Sequence, residues 1–415
     1  MKILLLCTHA TFRYTHYGEI HNAEKPFYLA KFLADHGHKV TLMYGESPLH
    51  LRIAKRIYKN LTIIDFPVLG CSGTKALPSA IQQSMKKANL VVSSLFSLIK
   101  SLEEDWDILH VFWPNFPGNY LPMYLFDLFK KSKIILDLED RVGGKEGLYK
   151  LTSKGLSGEL ELFLVTLLEN SSIRHADAAI VTTSLLKQLL LKHNFAKNRI
   201  FKIPRGVDLK LFQVFDKLYS RKLLGIDTKS NIITYTGSSL QLSYYYTFLL
   251  KVLKEILKRR SNIKLIFLGR RVPREVIETI KYMKLYKNIS LTGAIPLHKL
   301  PLFLSASDVL VLPLQNNFVD ASRWPNRLLE YMASSRPVVA SSVGEVKEII
   351  QTEKCGLLAK PDDYIDFSEK LEYLLQNPRE ADELGNRGRM SVETKYNWEK
   401  VSQSIEKVYE SLKYY

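Results

Sequence analysis

Short apolar runs alternate along this chain with stretches of helical period. In the first half the runs fall at Lys2–Leu6, Val40–Tyr44, Leu61–Pro67, Ile108–Phe112, Ile134–Leu138 and Ala178–Thr182. Each has the length of a buried strand, and the helical stretches between them suit crossovers, which predicts parallel sheets. The first unit is the clearest. A strand to Leu6 leads through a loop to helical spacing over Lys25–His36, then Gly37-His38 and the strand Val40–Tyr44, one βαβ unit. After Ile203-Pro204-Arg205-Gly206-Val207-Asp208 the rhythm restarts, with strands expected at Ile232–Tyr235, Lys264–Leu268, Ile289–Thr292, Val309–Leu312 and Pro337–Ala340. The halves share rhythm but no alignable repeat, so two doubly wound α/β sheets fit better than a solenoid. In such sheets ligands lie beyond the carboxyl ends of the strands, so the expected site is a cleft between two facing domains. Val401, Ile405, Val408, Tyr409 and Leu412 keep 3.6-type spacing after Trp398 and predict a closing amphipathic helix.

Composition agrees with a folded chain. At 415 residues, 46% hydrophobic and 24% charged, the protein is long enough for two or three domains and too apolar to be disordered. Its three cysteines, Cys7, Cys71 and Cys355, lie far apart without CxxC spacing, which indicates neither a disulfide framework nor a cysteine zinc site. The N-terminal apolar run Ile3–Cys7 is too short for a signal segment or a membrane span, so a cytoplasmic location is expected. The net charge of +17 favours anionic partners. It is patterned: residues 51–100 carry eight basic and one acidic side chain, and residues 251–300 carry thirteen and three. No aromatic-basic module accompanies these zones, so nucleic acid is not expected as a partner.

The window Asp320–Val343, DASRWPNRLLEYMASSRPVVASSV, concentrates the chemistry. Pro325 suits the first turn of a helix, with Ser322 available as a capping side chain. The free amides and positive end of such a helix form an anion site. Arg327 adds charge, and Glu330 lies one turn along on the same face. The same spacing also fits an ordinary buried helix with Glu330 ion-paired to an arginine.

At this window PNRLLEYMASSRPVVAS resembles the donor-site helix of the retaining GT-B glycosyltransferases of family four. Ile203–Asp208 resembles the family's interdomain turn, Thr234-Tyr235-Thr236-Gly237 its first donor-domain strand and loop, and Asn397-Trp398 with its helix the closing element. In the first half the likeness rests on Gly37-His38-Lys39-Val40, on Asp107-Ile108-Leu109-His110 and on rhythm. The resemblance implies two Rossmann-like domains facing across a cleft: an acceptor domain over residues 1–203, a nucleotide-sugar domain over 204–395, and a closing helix over 396–415 returning to the first domain. It implies a nucleotide-sugar co-substrate, no metal and no resident cofactor, with Glu330 gripping the ribose hydroxyls while helix amides, Asn326 and Arg327 take the diphosphate. Gly237 and Ser238 would complete the donor loop.

Two departures stand against that pattern. The family commonly has a second glutamate eight residues before the first, where this chain has Ser322; Asp320 is the nearest acid and the candidate for the sugar-facing role. The donor loop usually carries two cations, whereas Gly237 is followed by Ser238-Ser239-Leu240-Gln241-Leu242-Ser243-Tyr244. Arg205 and Arg270, with Arg271 and Arg323, are the candidate substitutes, since a departing diphosphate needs positive charge when no metal supplies it.

On the acceptor side, Asp137, Glu139, Asp140 and Arg141 close the strand Ile134–Leu138. Asp140 is the first choice for orienting an acceptor hydroxyl and Asp137 the second, with His110 and Arg141 as acceptor-binding candidates; helix capping and ion pairing are the competing roles. In the segment Leu49–Lys59 apolar and cationic residues interleave at helical spacing. Together with Lys86-Lys87 and Leu90–Ile99 this suggests an anionic membrane surface contacted through residues 49–102, a peripheral position at the inner membrane face, and a lipid-linked or glycan acceptor. A solvated helix packed on the sheet is the competing reading. Two functions follow: transfer of a sugar from a nucleotide sugar to an acceptor hydroxyl, or a degenerate GT-B-like binding or scaffolding subunit of a glycosyltransferase complex.

Overall fold

The computed structural model describes residues 1–8, 13–14, 20–21, 24–45, 54–66, 92, 94–115, 117–129, 132–151, 155–237, 242–269 and 272–412. The chain divides into two units: Met1–Pro204 with Trp398–Tyr415, and Arg205–Asn397.

The first unit contains β1 (Lys2–Cys7), β2 (Arg13–Tyr14), β3 (Ile20–His21), β4 (Lys39–Gly45), β5 (Ala54–Tyr58), β6 (Leu61–Phe66), β7 (Ile108–Phe112), β8 (Lys133–Leu138), β9 (Ala178–Val181) and β10 (Ile200–Lys202). Eight of these form one sheet in the order β10-β9-β8-β7-β1-β4-β6-β5, while β2 and β3 pair separately. All neighbours in the large sheet are parallel except β5 with β6. The central strands are buried along nearly their whole length, as expected of a parallel sheet covered on both faces. The closing helix Trp398–Leu412 supplies Trp398, Val401, Ile405, Val408, Tyr409 and Leu412 to this unit's core, where Trp398 stacks on Tyr28 at 5.3 Å.

The helical reading of Leu49–Lys59 is corrected. Residues 54–58 are an edge strand, joined to β6 by the two-residue turn Lys59-Asn60 with Tyr58 opposite Leu61. Lys59 takes a φ of +49°, as two-residue hairpin turns require. Residues 49–53 and most of 67–93, including Lys86-Lys87, lie outside the described residues.

The second unit contains β11 (Asn231–Thr236), β12 (Ile263–Leu268), β13 (Ile289–Leu291), β14 (Val309–Leu312), β15 (Val338–Ser341) and β16 (Gly356–Ala359). They run parallel in the order β13-β12-β11-β14-β15-β16, the doubly wound arrangement in which strand order reverses beside the first strand. That reversal lies between β11 and β14, and in the first sheet between β1 and β7. Among the described residues no helix is long and apolar enough to cross a membrane.

Candidate active site

In the second unit the chain leaves β11 and β12 through Gly237 and Gly269. A Cβ on Gly237 would sit 2.7 Å from the Tyr246 hydroxyl, and one on Gly269 would sit 2.4 Å from the Gly237 carbonyl oxygen. Only glycine permits this close approach, and the Gly237 amide donates to Leu268 at 2.7 Å.

The helix Asn326–Ala333 is fastened to this edge at two points. Arg327 Nη1 donates to the Thr236 carbonyl at 2.8 Å, and the Tyr331 hydroxyl accepts from the Thr236 amide at 2.9 Å while bonding its side-chain oxygen at 2.9 Å. Residues four apart share a helix face, so one face meets the end of β11. The Arg327 guanidinium also lies 5.4 Å from the Tyr235 ring centre. Burial works against its charge, but the oxygens of Tyr235 and Tyr331 outweigh that and hold it firmly protonated. Glu330, three residues from Arg327, is partly exposed.

The cap differs from expectation. Pro325 itself is the N-cap and Asn326 the first helical residue, whereas Ser322 ends a separate short helix, Phe318–Ser322, and bonds back to the Val319 carbonyl at 3.3 Å. Asp320 is also corrected as a sugar-facing acid. It is 4% exposed, both its oxygens accept from the Tyr245 hydroxyl at 2.8 Å, and one also accepts from the Gln315 amide at 2.8 Å. Its charge is spent on holding the segment after β14. The buried Tyr246 hydroxyl, Trp324 Nε1 and Asn326 Oδ1 have no hydrogen-bond partner among the described residues. Burial raises the Tyr246 hydroxyl to about 12. Ser238, Arg270 and Arg271 lie outside the described residues; Arg205 opens the second unit, partly buried.

The first unit's carboxyl edge is wired differently. The Thr8 amide and hydroxyl both donate to Asn119 Oδ1, at 2.9 and 2.8 Å, and Asn119 Nδ2 donates to the carbonyls of Phe112 and Trp113. Trp113 is held in the left-handed region at a φ of +47°, a strained conformation for an aromatic residue.

Beneath this edge runs a buried polar chain. The Tyr409 hydroxyl meets His110 Nδ1 at 2.5 Å, His110 Nε2 meets Asp137 at 3.1 Å, and Lys25 Nζ lies 2.7 Å from Asp137 and 3.8 Å from Glu139. Because an ionised carboxylate only accepts, Nε2 carries the proton and Nδ1 accepts from Tyr409. Burial pushes the Asp137 carboxyl up, yet Lys25 and then His110 outweigh it and hold the group below its ordinary value.

Asp137 and His110 are therefore corrected as acceptor-facing groups: both are 0% exposed and occupied by internal partners. Arg141 is likewise engaged, with Glu169 at 2.9 Å and Asn170 at 3.1 Å, and the Gly143 and Gly144 amides donate to Glu169 and Thr166. Asp140, just past β8, stays partly exposed. The residues missed from sequence are Lys25, Tyr331 and the tyrosines after β11. The run Tyr244-Tyr245-Tyr246 was the available signal for the last of these; nothing local marks Lys25.

The two reversing sheets define the GT-B class. Sucrose-phosphate synthase from Thermosynechococcus elongatus superposes with a TM-score of 0.72 at 18% identity, over 99% of each chain. Anabaena HepE, solved in complex with UDP, matches with a TM-score of 0.63 at 14% identity, over 99% of this chain and all of that one. Residues 216–391, within the second unit, match the family Glycosyl transferases group 1. One relative is the GDP-mannose-dependent monoacylated alpha-(1-6)-phosphatidylinositol monomannoside mannosyltransferase of Corynebacterium glutamicum, 24% identical over 257 residues. That match covers 58% of this chain and 65% of the relative, so it spans just under two-thirds of the relative's length.

Proposed function

We propose that the protein transfers a sugar from a nucleotide-sugar donor to an acceptor hydroxyl, with retention at the sugar carbon and without a metal. The observation that carries this reading is the double fastening of the helix Asn326–Ala333 to the end of β11 by Arg327 and Tyr331, at the point where strand order reverses. A partly buried guanidinium held at a strand end beside helix amides suits a diphosphate, and a partly exposed carboxylate one turn along suits the two ribose hydroxyls. The donor belongs to the second unit in this reading and the acceptor to the first, where Asp140 remains the candidate for orienting the acceptor hydroxyl. The Corynebacterium relative's name specifies a lipid acceptor, which supports a lipid-linked or glycan acceptor here and a peripheral position at an anionic membrane.

The second reading, a binding subunit without turnover, is favoured by Ser322 and Asp320, whose side chains are buried and turned to internal work. Thermal shifts with UDP-, GDP- and ADP-sugars separate the possibilities. A donor at about 100 times its Kd stabilises the native state by about 2.7 kcal/mol. Glu330→Ala is expected to weaken that donor's binding about tenfold or more at unchanged folding; unchanged affinity removes Glu330 from the donor site. Binding without cleavage of any donor or transfer to any acceptor favours the subunit.

A further inference from the structure

We infer that three neighbouring helices of the first unit form a docking face for an anionic lipid bilayer. The helix Gly155–Ser172 is apolar on both sides. Its inner side buries Leu162 and Val165, yet Leu156, Leu160, Phe163, Leu164 and Leu167 are exposed, at 90% for Leu156 and 62% for Phe163. At about 100° per residue these five fall within roughly 100° of arc, with no charged residue among them. A helix with two opposite apolar sides normally buries both, in a protein core or against lipid, and here only the inner one is covered.

The face continues beyond one helix. The helix Pro117–Phe129 packs beside it, with Tyr120 bonded to Ser171 at 2.8 Å, and exposes Tyr124, Leu128 and Phe129. Residues 94–101 form a third helix, joined to the second by Ser97 donating to the Gly118 carbonyl at 2.5 Å, and expose Leu95 and Ile99. Scattered exposed leucines need no occupant, but three packed helices each turning apolar residues outward do.

Charge selects the occupant. On the flanks of the face Glu159 pairs with Lys150 at 2.5 Å and Asp127 with His175 at 2.7 Å, while Glu161 lies on the polar flank of its helix. An apolar arc with paired flanks suits hydrocarbon. A net charge of +17 draws the chain toward anionic headgroups and sets two copies against each other. Apolar side chains would enter the headgroup boundary while the long-range field supplies orientation.

This face deepens the lipid-linked acceptor reading, but its test is independent of catalysis. The full chain is mixed at low salt with vesicles of phosphatidylcholine alone, or with one-third phosphatidylglycerol, and floated on a sucrose gradient. The protein is expected to float with the anionic vesicles and less with the neutral ones. Leu160→Glu combined with Phe163→Glu and Leu167→Glu is expected to lower the bound fraction about tenfold at unchanged melting temperature. Should that triple variant not fold, Leu156→Glu alone is expected to lower binding severalfold. Folded wild type that stays down with both vesicles overturns the inference, as does a folded variant that floats as well as wild type. A solution dimer dissolved by the same substitutions also overturns it, since the face then belongs to a second copy.

Discussion

His110 shows how a single side chain is set by what surrounds it. Burial pulls its imidazole below the ordinary value, against the raising effect of Asp137, so the folded protein holds it neutral between Tyr409 and Asp137. On unfolding it returns to a pKa near 6.5, and below that pH the unfolded chain binds a proton that the folded chain refuses. Its contribution is therefore complete above about pH 6.5 and drains as pH falls toward the folded value. Urea midpoints of the wild type are expected to drop between about pH 7 and 5, and His110→Gln to drop less steeply, the difference reaching at most ~1.4 kcal/mol per pH unit. His193, lowered by burial and by Arg141 and Arg174, acts in the same direction, so the comparison with the variant isolates His110. Equal slopes would mean that the imidazole titrates alike in both states. Little of this was legible locally: His110 ends an apolar run, but Tyr409 lies 299 residues away in sequence and Lys25 lies 112 from Asp137.

At the scale of elements, period proved a good guide where strands are covered on both faces and a poor one at an edge. Runs such as Ile108–Phe112 and Val309–Leu312 are strands because a continuous β-branched and leucine stretch can be buried on both sides of a parallel sheet. Over 54–58 the alternation of cations with Ala54, Ile57 and Tyr58 is too short to distinguish helix from strand. The turn Lys59-Asn60 and the pairing with β6 made the choice. The closing helix is the element on which most depends, because its apolar stripe is part of the first unit's core although it follows the second in sequence. Ending the chain after Asn397 removes six buried apolar side chains and leaves His110 without Tyr409. Large-to-small changes at even one such site cost about 2–5 kcal/mol, so the first unit is expected to lose protection in hydrogen exchange or to aggregate. A truncated protein whose first unit exchanges like the full chain would contradict that role.

For the molecule as a whole, the doubly wound second sheet puts its reversal where Gly237, Arg327 and Tyr331 meet. A bound nucleotide sugar is expected to slow amide exchange most strongly in peptides covering 231–237 and 326–333, with weaker binding as salt screens a protein of charge +17. Protection confined to other strands of either sheet would move the donor site elsewhere. By itself the amino-acid sequence determined the alternation of strands and helices, the restart near Ile203, the closing stripe and the helix opening at Pro325. Each of these is written in neighbours within a turn or two. Only the tertiary structure decided which charged groups are spent inside. Asp320 is claimed by Tyr245, Asp137 by Lys25 and His110, and Arg141 by Glu169, while Glu330 and Asp140 keep part of their surface. The physical reason is that a charge enters a low-dielectric interior only with a partner, and these partners come from distant segments that meet only once the sheets have formed.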